Sequence, residues 1–176
     1  MKKNHQIKLL KDEPKAYGGE LQKKRAGRLT GRPLDTKNTM HLTLRSTQAV
    51  GEWSFARKNN RLKISEITAR FSVKYGVKIL SMANVGNHLH FQIKLASRHT
   101  YKKFIRAVSS AIVMAITGVS RLKKLKKHFW NFRPFTRIVI GYRARLVLQN
   151  YIEMNQLEGF GWDRAQAFDI VRNQFG

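Results

Sequence analysis

The sequence predicts an α+β fold: an antiparallel sheet with helices packed on one face, of the ferredoxin-like or RNA-recognition-like type. Two stretches, Met40–Arg45 and His88–Leu95, alternate apolar residues with polar ones, as half-buried strands do. Other stretches repeat apolar residues at the spacing of amphipathic helices. The predicted order of strand, helix, hairpin, helix, strand and helix is typical of this fold class, which leaves one sheet face open to a ligand.

The first strand alternates cleanly. We expect its apolar residues to face the core, and the remaining three, His41, Thr43 and Arg45, to face the opposite side. After it, Asn59-Asn60 is predicted to interrupt the chain. The first helix follows, with apolar residues at helical spacing and an end at Gly76. These residues are Leu62, Ile64, Ile67, Phe71 and Tyr75.

A hairpin is predicted next, because two strands are separated by only four residues rich in Asn and Gly. Its strands are Val77 to Ala83 and His88 to Leu95, joined by the turn at residues 84–87. In the second of these strands, His88, His90, Gln92 and Lys94 share one face. Two imidazoles spaced two residues apart on a strand can converge on one divalent ion or one phosphate.

The remaining elements follow the same logic. A second amphipathic helix from Tyr101 to Ala115 should end near Gly118. Ile138 to Ile140 is predicted as a fourth strand, and Pro134 before it indicates an edge or a bulge. Arg143 to Leu157 is predicted as a helix. Asp163 is placed to cap a last helix that continues through Val171.

The charge of the chain indicates a polyanionic partner. Lys and Arg total 35 against 10 Asp and Glu, a formal net charge of +25, which favours nucleic acid held by counterion release. No carboxylate occurs between Glu66 and Glu153, so a nuclease site built on clustered carboxylates is excluded there. The chain has no cysteine, which excludes disulfides and thiolate metal sites.

We divide the chain into a basic, flexible N-terminal arm, residues 1–36, and a catalytic domain, residues 37–176. The arm could neutralise phosphates or be a spacer without function. No apolar run has the length of a membrane span or the form of a signal peptide, so a cytoplasmic, nucleoid-associated protein is the default expectation.

Several basic residues are candidates for DNA contact. Five cations lie within residues 121–127, in a loop that either contacts phosphates or is simply solvated. From residue 129 to residue 137, aromatic residues alternate with arginines, a pattern that fits either stacking of unpaired bases or core packing. The candidates are Arg45, Lys94, Lys123, Lys124, Lys126, Lys127, Trp130, Arg133 and Arg137.

The predicted helix that follows adds a phenol and an amide. Tyr151 and Asn155 are four residues apart and therefore share one helical face. If this helix packs beside the histidine strand, Asn155 could complete a His-His-Asn site with His88 and His90. Mg²⁺ or Mn²⁺ accepts such ligands. Tyr151 could then attack a phosphodiester held there.

The segment Asn87-His88-Leu89-His90, followed by Tyr151-Ile152-Glu153-Met154-Asn155, resembles the HUH single-tyrosine transposases, and most closely the REP-associated tyrosine transposases. The resemblance implies a ferredoxin-like nuclease that acts on single-stranded or hairpin DNA through a 5′-phosphotyrosine intermediate. By position it implies Tyr151 as nucleophile, His88, His90 and Asn155 as ligands of Mg²⁺ or Mn²⁺, and Gln156 as the alternative third ligand. It favours a monomer, with a homodimer possible.

Two other functions remain open at this point. One is a non-catalytic nucleic-acid-binding protein derived from a transposase. The other is a histidine-triad nucleotidyltransferase, since His88-Leu89-His90-Phe91-Gln92 has the His-apolar-His-apolar-Gln spacing of those enzymes, in which the middle histidine is the nucleophile. The large positive charge exceeds what a mononucleotide substrate needs.

Overall fold

The protein is described by a computed structural model that covers residues 17–18, 33–120, 122, 125–131 and 133–175. A single turn of 3-10 helix, Gly51–Trp53, precedes the first long helix. The elements in chain order are β1 (Tyr17–Gly18), β2 (Thr39–Arg45), α1 (Lys58–Tyr75), β3 (Val77–Asn84), β4 (His88–Leu95), α2 (Arg98–Thr117), β5 (Phe135–Val139), α3 (Tyr142–Gly159) and α4 (Arg164–Phe175).

The strands form one antiparallel sheet in the order β1-β5-β2-β4-β3. The two strands with alternating sequences, β2 and β4, are neighbours at its centre. This arrangement confirms the predicted α+β fold and antiparallel sheet. It also confirms the hairpin, since β4 has the predicted bounds and β3 is one residue longer than predicted.

One face of the sheet carries the main core. The apolar residues of β2 and β4 are buried against α1 and α2. The best-buried members of this cluster include Met40, Leu42, Ile64, Leu89, Phe91, Ile93, Phe104 and Ile112. Burial of apolar area on this scale is the main stabilising contribution to the fold.

The opposite face is covered in part by α3, so the expectation of helices on one face holds for α1 and α2 only. Leu148 and Ile152 of α3 pack with Ala83 of β3 and Val139 of β5. Ala83 is the direct partner of His90 in the sheet, and paired residues point to the same face. The helix therefore lies over the face that carries the histidines.

The predicted break at Asn59-Asn60 is wrong, because α1 begins at Lys58. The Asn60 amide donates to the carbonyls of Glu52 and Ser54, both at 2.8 Å, and so joins the helix to the preceding turn. Leu62, expected on the buried side, is 55% exposed. The predicted ends at Gly76 and Gly118 are confirmed, since both glycines adopt left-handed conformations after the last helical residue.

The last strand and helices differ modestly from prediction. β5 begins directly after Pro134 and ends at Val139, which leaves Ile140 outside it and exposed. α4 runs from Arg164 to Phe175, and the Asp163 carboxylate accepts the Gln166 backbone N–H at 2.9 Å, as a helix cap does. None of the described helices is long and apolar enough to cross a membrane.

The proposed N-terminal arm falls largely outside the described residues. Of residues 1–32, only Tyr17 and Gly18 are described, and their backbone pairs with Arg137 and Thr136 of β5. Close to the sheet, Leu34 packs against the main core. The boundary of the catalytic domain at residue 37 stays a prediction.

Candidate active site

The pairing of β2 with β4 merges two polar faces into one surface. Across these strands Arg45 faces His88, Thr43 faces His90, and His41 faces Gln92. Side chains that are paired in this way lie on the same side of the sheet, about 5 Å apart. Three imidazoles therefore gather on the face that α3 covers.

His90 lies at the centre of this surface and is only 5% exposed. Its Nδ1 is 3.0 Å from Nε2 of His41, and the two rings stack with centroids 5.3 Å apart. The Thr43 hydroxyl is 3.4 Å from the same Nδ1. On the other side of the ring, Nε2 is buried and has no hydrogen-bond partner among the described residues.

His88 is half-buried beside it. The two rings meet edge to face, with centroids 4.8 Å apart. Nδ1 of His88 is 2.6 Å from the Asn87 side-chain oxygen. An amide oxygen can only accept, so Nδ1 of His88 donates and its Nε2 carries the lone pair.

Electrostatics keep these imidazoles neutral at pH 7. Burial lowers the pKa of His90 to about 3, helped by the neighbouring His41 and His88. Burial and then the charge of Arg137 lower the pKa of His41 to about 4. The pKa of His88 is also lowered, first by burial and then by Arg45. Neutral imidazoles retain the lone pairs that bind metal ions.

Tyr151 of α3 lies over the histidines. Its ring centroid is 5.4 Å from that of His90 and 6.0 Å from that of His41, nearly perpendicular to both. The tyrosine is 40% exposed, so one side of it contacts the imidazoles and another faces solvent. The structure thus brings together the tyrosine and the histidines that the sequence placed 61 to 63 residues apart.

The two amides proposed as the third ligand have different surroundings. Asn155 is buried, and its Nδ2 donates to the Tyr151 carbonyl at 2.6 Å, an interaction that does not use its amide oxygen. Gln156 instead accepts the backbone N–H of Asn84 at 2.9 Å through Oε1. That bond uses one of the two lone pairs of the oxygen that a hard cation would need and directs the Gln156 side chain to the Asn84 backbone, so Asn155 stays the first candidate.

The end of α3 is tied to its own sheet. A side chain on Gly159 would place Cβ 2.1 Å from the Asn84 carbonyl oxygen, so only glycine fits. Nη2 of Arg61 donates to the Gly159 carbonyl at 2.8 Å, and its guanidinium lies 4.4 Å from the Phe160 ring centroid. These contacts fix the helix that carries Tyr151.

The basic residues predicted to contact DNA separate into three groups. Arg45 and Arg137 are exposed and flank the histidines, since Arg137 pairs with His41 across the sheet. The exposed cations farther from the histidines are Lys94, Lys126, Lys127 and Arg133. Lys123 and Lys124 lie outside the described residues.

Trp130, the aromatic candidate, is packed against the core instead. Its indole contacts Phe55 and Phe129, and its Nε1 donates to the Ser109 carbonyl at 3.2 Å. The ring and its donor are engaged within the fold, and contact of this partly buried side chain with DNA stays a prediction. Gln92 is likewise buried and bonded to the Arg145 carbonyl at 3.4 Å.

Sequence reasoning missed His41 as a member of the site. The signal was present, since His41 belongs to the same alternating pattern as Thr43 and Arg45. What was not visible was that β2 would pair with β4 in the register that sets His41 beside His90.

Within the described residues, no group of three or more His, Cys, Asp or Glu side chains is arranged to hold a metal. The ligands predicted from the sequence are two imidazoles, of His88 and His90, and one amide oxygen. Such a neutral set fits a divalent cation only if other ligands, such as water or phosphate oxygens, complete the coordination.

Comparison with known proteins places the chain in context. Residues 41–155 match a family model described as IS200-like transposases. Among curated proteins, none is significantly similar in sequence.

Two solved structures resemble the fold. One is a REP-associated tyrosine transposase bound to a REP hairpin, with a TM-score of 0.59 and 14% identity over 77% of this chain and 75% of that one. The other is a candidate transposase from Deinococcus radiodurans, with a TM-score of 0.42 and 17% identity over 72% of this chain and 97% of that one. The first shows that the two chains share a fold.

Proposed function

The chain belongs to the IS200-like transposase family, and we propose that it is a metal-dependent endonuclease and strand transferase for single-stranded or hairpin DNA, with Tyr151 as nucleophile. The observation that carries this proposal is the position of the Tyr151 ring, edge-on to His90, whose ring in turn meets that of His88. The partly exposed tyrosine and the buried imidazole of His90 thus come from one chain and are in contact.

The proposed reaction is a transesterification at phosphorus. The Tyr151 oxygen attacks the phosphate, a tyrosine O–P bond forms, and the bond from phosphorus to the 3′ oxygen breaks. The phenol proton passes to solvent, and the leaving oxygen takes up a proton to become a 3′-OH. Attack by a 3′-OH on the 5′-phosphotyrosine reverses these steps and joins strands.

We propose that His88, His90 and Asn155 hold Mg²⁺ or Mn²⁺. Support comes from the buried Nε2 of His90, which has no protein partner among the described residues, and from the neutral state of both imidazoles. When bound, the ion would supply a Lewis acid for the phosphate oxygens. Burial of His90 excludes water from one side of the site and fixes the imidazole's orientation.

The proposed substrate follows from charge and from the relative. A chain of net charge +25 is suited to bind a phosphate backbone. Arg45 and Arg137, at either side of the histidines, are placed to hold phosphates next to the one that reacts. The relative of known structure is bound to a REP hairpin. Because the tyrosine and histidines meet within one chain, we propose that a monomer acts.

A covalent adduct tests this proposal. The full-length protein is incubated with a 3′- or 5′-labelled single-stranded hairpin and Mn²⁺, and the products are separated under denaturing, acidic conditions. We expect an acid-stable adduct at the 5′ end of the fragment downstream of the break, so that the 3′ label stays with the protein and the 5′ label does not. Tyr151→Phe should abolish it. Tyr142→Phe, a matched change at the start of the same helix, where the side chain is 66% exposed, should leave it intact.

Other outcomes would identify the rival functions. An acid-labile adduct that survives Tyr151→Phe and disappears in His90→Ala would indicate the histidine-triad reaction. Hairpin binding that a chelator leaves unchanged, with no adduct under any condition, would indicate a non-catalytic binding protein.

A further inference from the structure

His41 has no part in the proposed reaction, yet it makes the shortest polar contact of His90. We propose that His41 is a positioning residue that accepts the Nδ1 proton of His90 and so leaves His90 Nε2 with a free lone pair. This inference rests on the proposed function. It concerns the chain's own hydrogen bonds and can be tested without DNA cleavage.

The distance between the two rings permits only two arrangements. A neutral imidazole has one N–H and one lone pair, so nitrogens 3.0 Å apart share a single proton. If His41 donated it, His90 would carry its own proton on Nε2. That nitrogen is buried without an acceptor in the described part of the chain, which is an unfavourable place for an N–H.

In the other arrangement His90 donates from Nδ1 and His41 accepts at Nε2. His90 Nε2, which has no hydrogen-bond partner among the described residues, then carries a lone pair that a metal ion can use. Imidazoles that bind metals usually donate their second nitrogen in this way, which sets both tautomer and ring orientation. The acceptor here would be another imidazole, and the stretch of sequence around His90 has no carboxylate between Glu66 and Glu153.

Thr43 does not change the conclusion. Its hydroxyl lies 3.3 Å from His41 Nε2 and 3.4 Å from His90 Nδ1. The hydroxyl could relay the interaction by accepting from His90 and donating to His41. That relay requires the same proton on His90 and the same lone pair on His41.

The packing of His41 holds it in this position. Its ring stacks on His90 with an interplanar angle of 20°. Its edges meet Phe135 at 5.9 Å and Tyr151 at 6.0 Å between centroids. His41 is thus in contact with both the candidate metal ligand and the candidate nucleophile.

The first test reads the tautomer directly. Long-range ¹H–¹⁵N spectra of the metal-free, full-length protein distinguish a protonated Nδ1 from a protonated Nε2 in each histidine. We expect His90 protonated on Nδ1 in the wild type and a mixture of tautomers in His41→Phe, which keeps a stacked ring but removes the acceptor. A wild-type His90 protonated on Nε2 would overturn the inference.

The second test measures Mn²⁺ affinity by electron paramagnetic resonance of the free ion. We expect His41→Phe to weaken binding about 10- to 100-fold. His41→Gln, whose amide oxygen can replace the acceptor, should restore most of the affinity. His99→Phe, the same substitution at an exposed histidine of α2, should have no effect. Thermal unfolding of each variant monitors folding.

Two results would contradict this role for His41. One is unchanged Mn²⁺ affinity in a folded His41→Phe protein. The other is a loss of affinity in Thr43→Val that His41→Phe does not show. If His90→Ala binds Mn²⁺ as the wild type does, the proposed metal site itself fails, while the tautomer measurement still decides the role of His41.

Discussion

The two faces of the central sheet are made by the same two strands and differ in almost every physical respect. Odd-numbered residues of β4 join the apolar residues of β2 in a core covered by α1 and α2. Even-numbered residues of β4 join His41, Thr43 and Arg45 in a polar surface under α3. The first face stabilises the fold, and the second carries the candidate active site on strands that this core holds in place.

The helices that pack on the two faces also differ. The apolar face is sealed by two long helices, whereas α3 contacts its face through a small apolar cluster and a few specific hydrogen bonds. We therefore expect substitutions on the apolar face to change mainly the free energy of unfolding. Substitutions on the polar face should change mainly activity or binding.

The sharpest test substitutes neighbouring residues of β4. Phe91 is fully buried, so Phe91→Ala should lower the free energy of unfolding by about 3–5 kcal/mol. His90→Ala should cost less than half of that, because it also removes a buried nitrogen without a partner, and should abolish the DNA adduct. Urea unfolding measures the first quantity and adduct formation the second. Equal losses of stability would refute the division between the faces.

The next prediction concerns the close packing of the end of α3 against β3. Alanine in a helix is normally more stabilising than glycine, but at Gly159 its Cβ would meet the Asn84 carbonyl oxygen. We expect Gly159→Ala to cost about 1–3 kcal/mol, as overpacking does, and to reduce adduct formation by displacing Tyr151.

Val147→Ala is the matched control, because Val147 lies on the same helix and is 69% exposed. It should change neither unfolding nor adduct formation measurably. A Gly159→Ala protein as stable and active as the wild type would show that α3 moves freely on the sheet.

Low pH should reduce the contribution that the buried imidazoles of the polar face make to the stability of the protein. Burial lowers the pKa of His41 to about 4 and of His90 to about 3, so both stay neutral in the native protein where the unfolded chain, with a pKa of 6.5, takes up protons. Their contribution to stability is complete above pH 6.5 and is lost as pH falls toward 4. We expect the unfolding free energy of the metal-free protein to drop by about 2 kcal/mol for each of these imidazoles, about 4 kcal/mol in all, between pH 7 and pH 5.

Urea titrations at both pH values would measure this change. His41→Gln, with one imidazole fewer, should lose less stability than the wild type over the same interval. A wild-type unfolding free energy that is constant from pH 7 to pH 5 would mean that these imidazoles are not held neutral by burial.

The smallest expected effects lie at the rim of the polar face. Arg45→Ala or Arg137→Ala should reduce hairpin affinity and lower the slope of log affinity against log salt by about 0.7–1, the change for one lost phosphate contact. Lys103→Ala, at an exposed position of α2 on the other side of the sheet, should leave the slope unchanged. Identical slopes for all three variants would argue against a DNA path across the histidine face.

Alternation in the sequence was enough to predict both faces of β4, its bounds and the hairpin, because a period of two is a local property. Register and helix docking are not local. The position of His41 beside His90 depends on how β2 pairs with β4. The two candidate ligand amides of α3, Asn155 and Gln156, are adjacent in sequence, but rotation by about 100° per residue turns Gln156 toward the Asn84 backbone.

Two other features of the chain also depend on non-local contacts. Asn60 continues α1 because its amide satisfies carbonyls of a turn that precedes the helix in the chain. Trp130 was compatible with base stacking or core packing from sequence alone, and only the positions of Phe55 and Ser109 distinguish them.

The sequence has no carboxylate between Glu66 and Glu153, and the ligands proposed for the ion are all neutral. An ion held by neutral donors keeps its double charge, inside a protein whose formal net charge is already +25. The field of the protein then opposes the ion, and the phosphates of bound DNA offset that field. Ion and DNA would strengthen each other's binding by the same factor, since such coupling is reciprocal. The protein without DNA would bind the ion weakly. The metal site would be fully occupied only when DNA is bound.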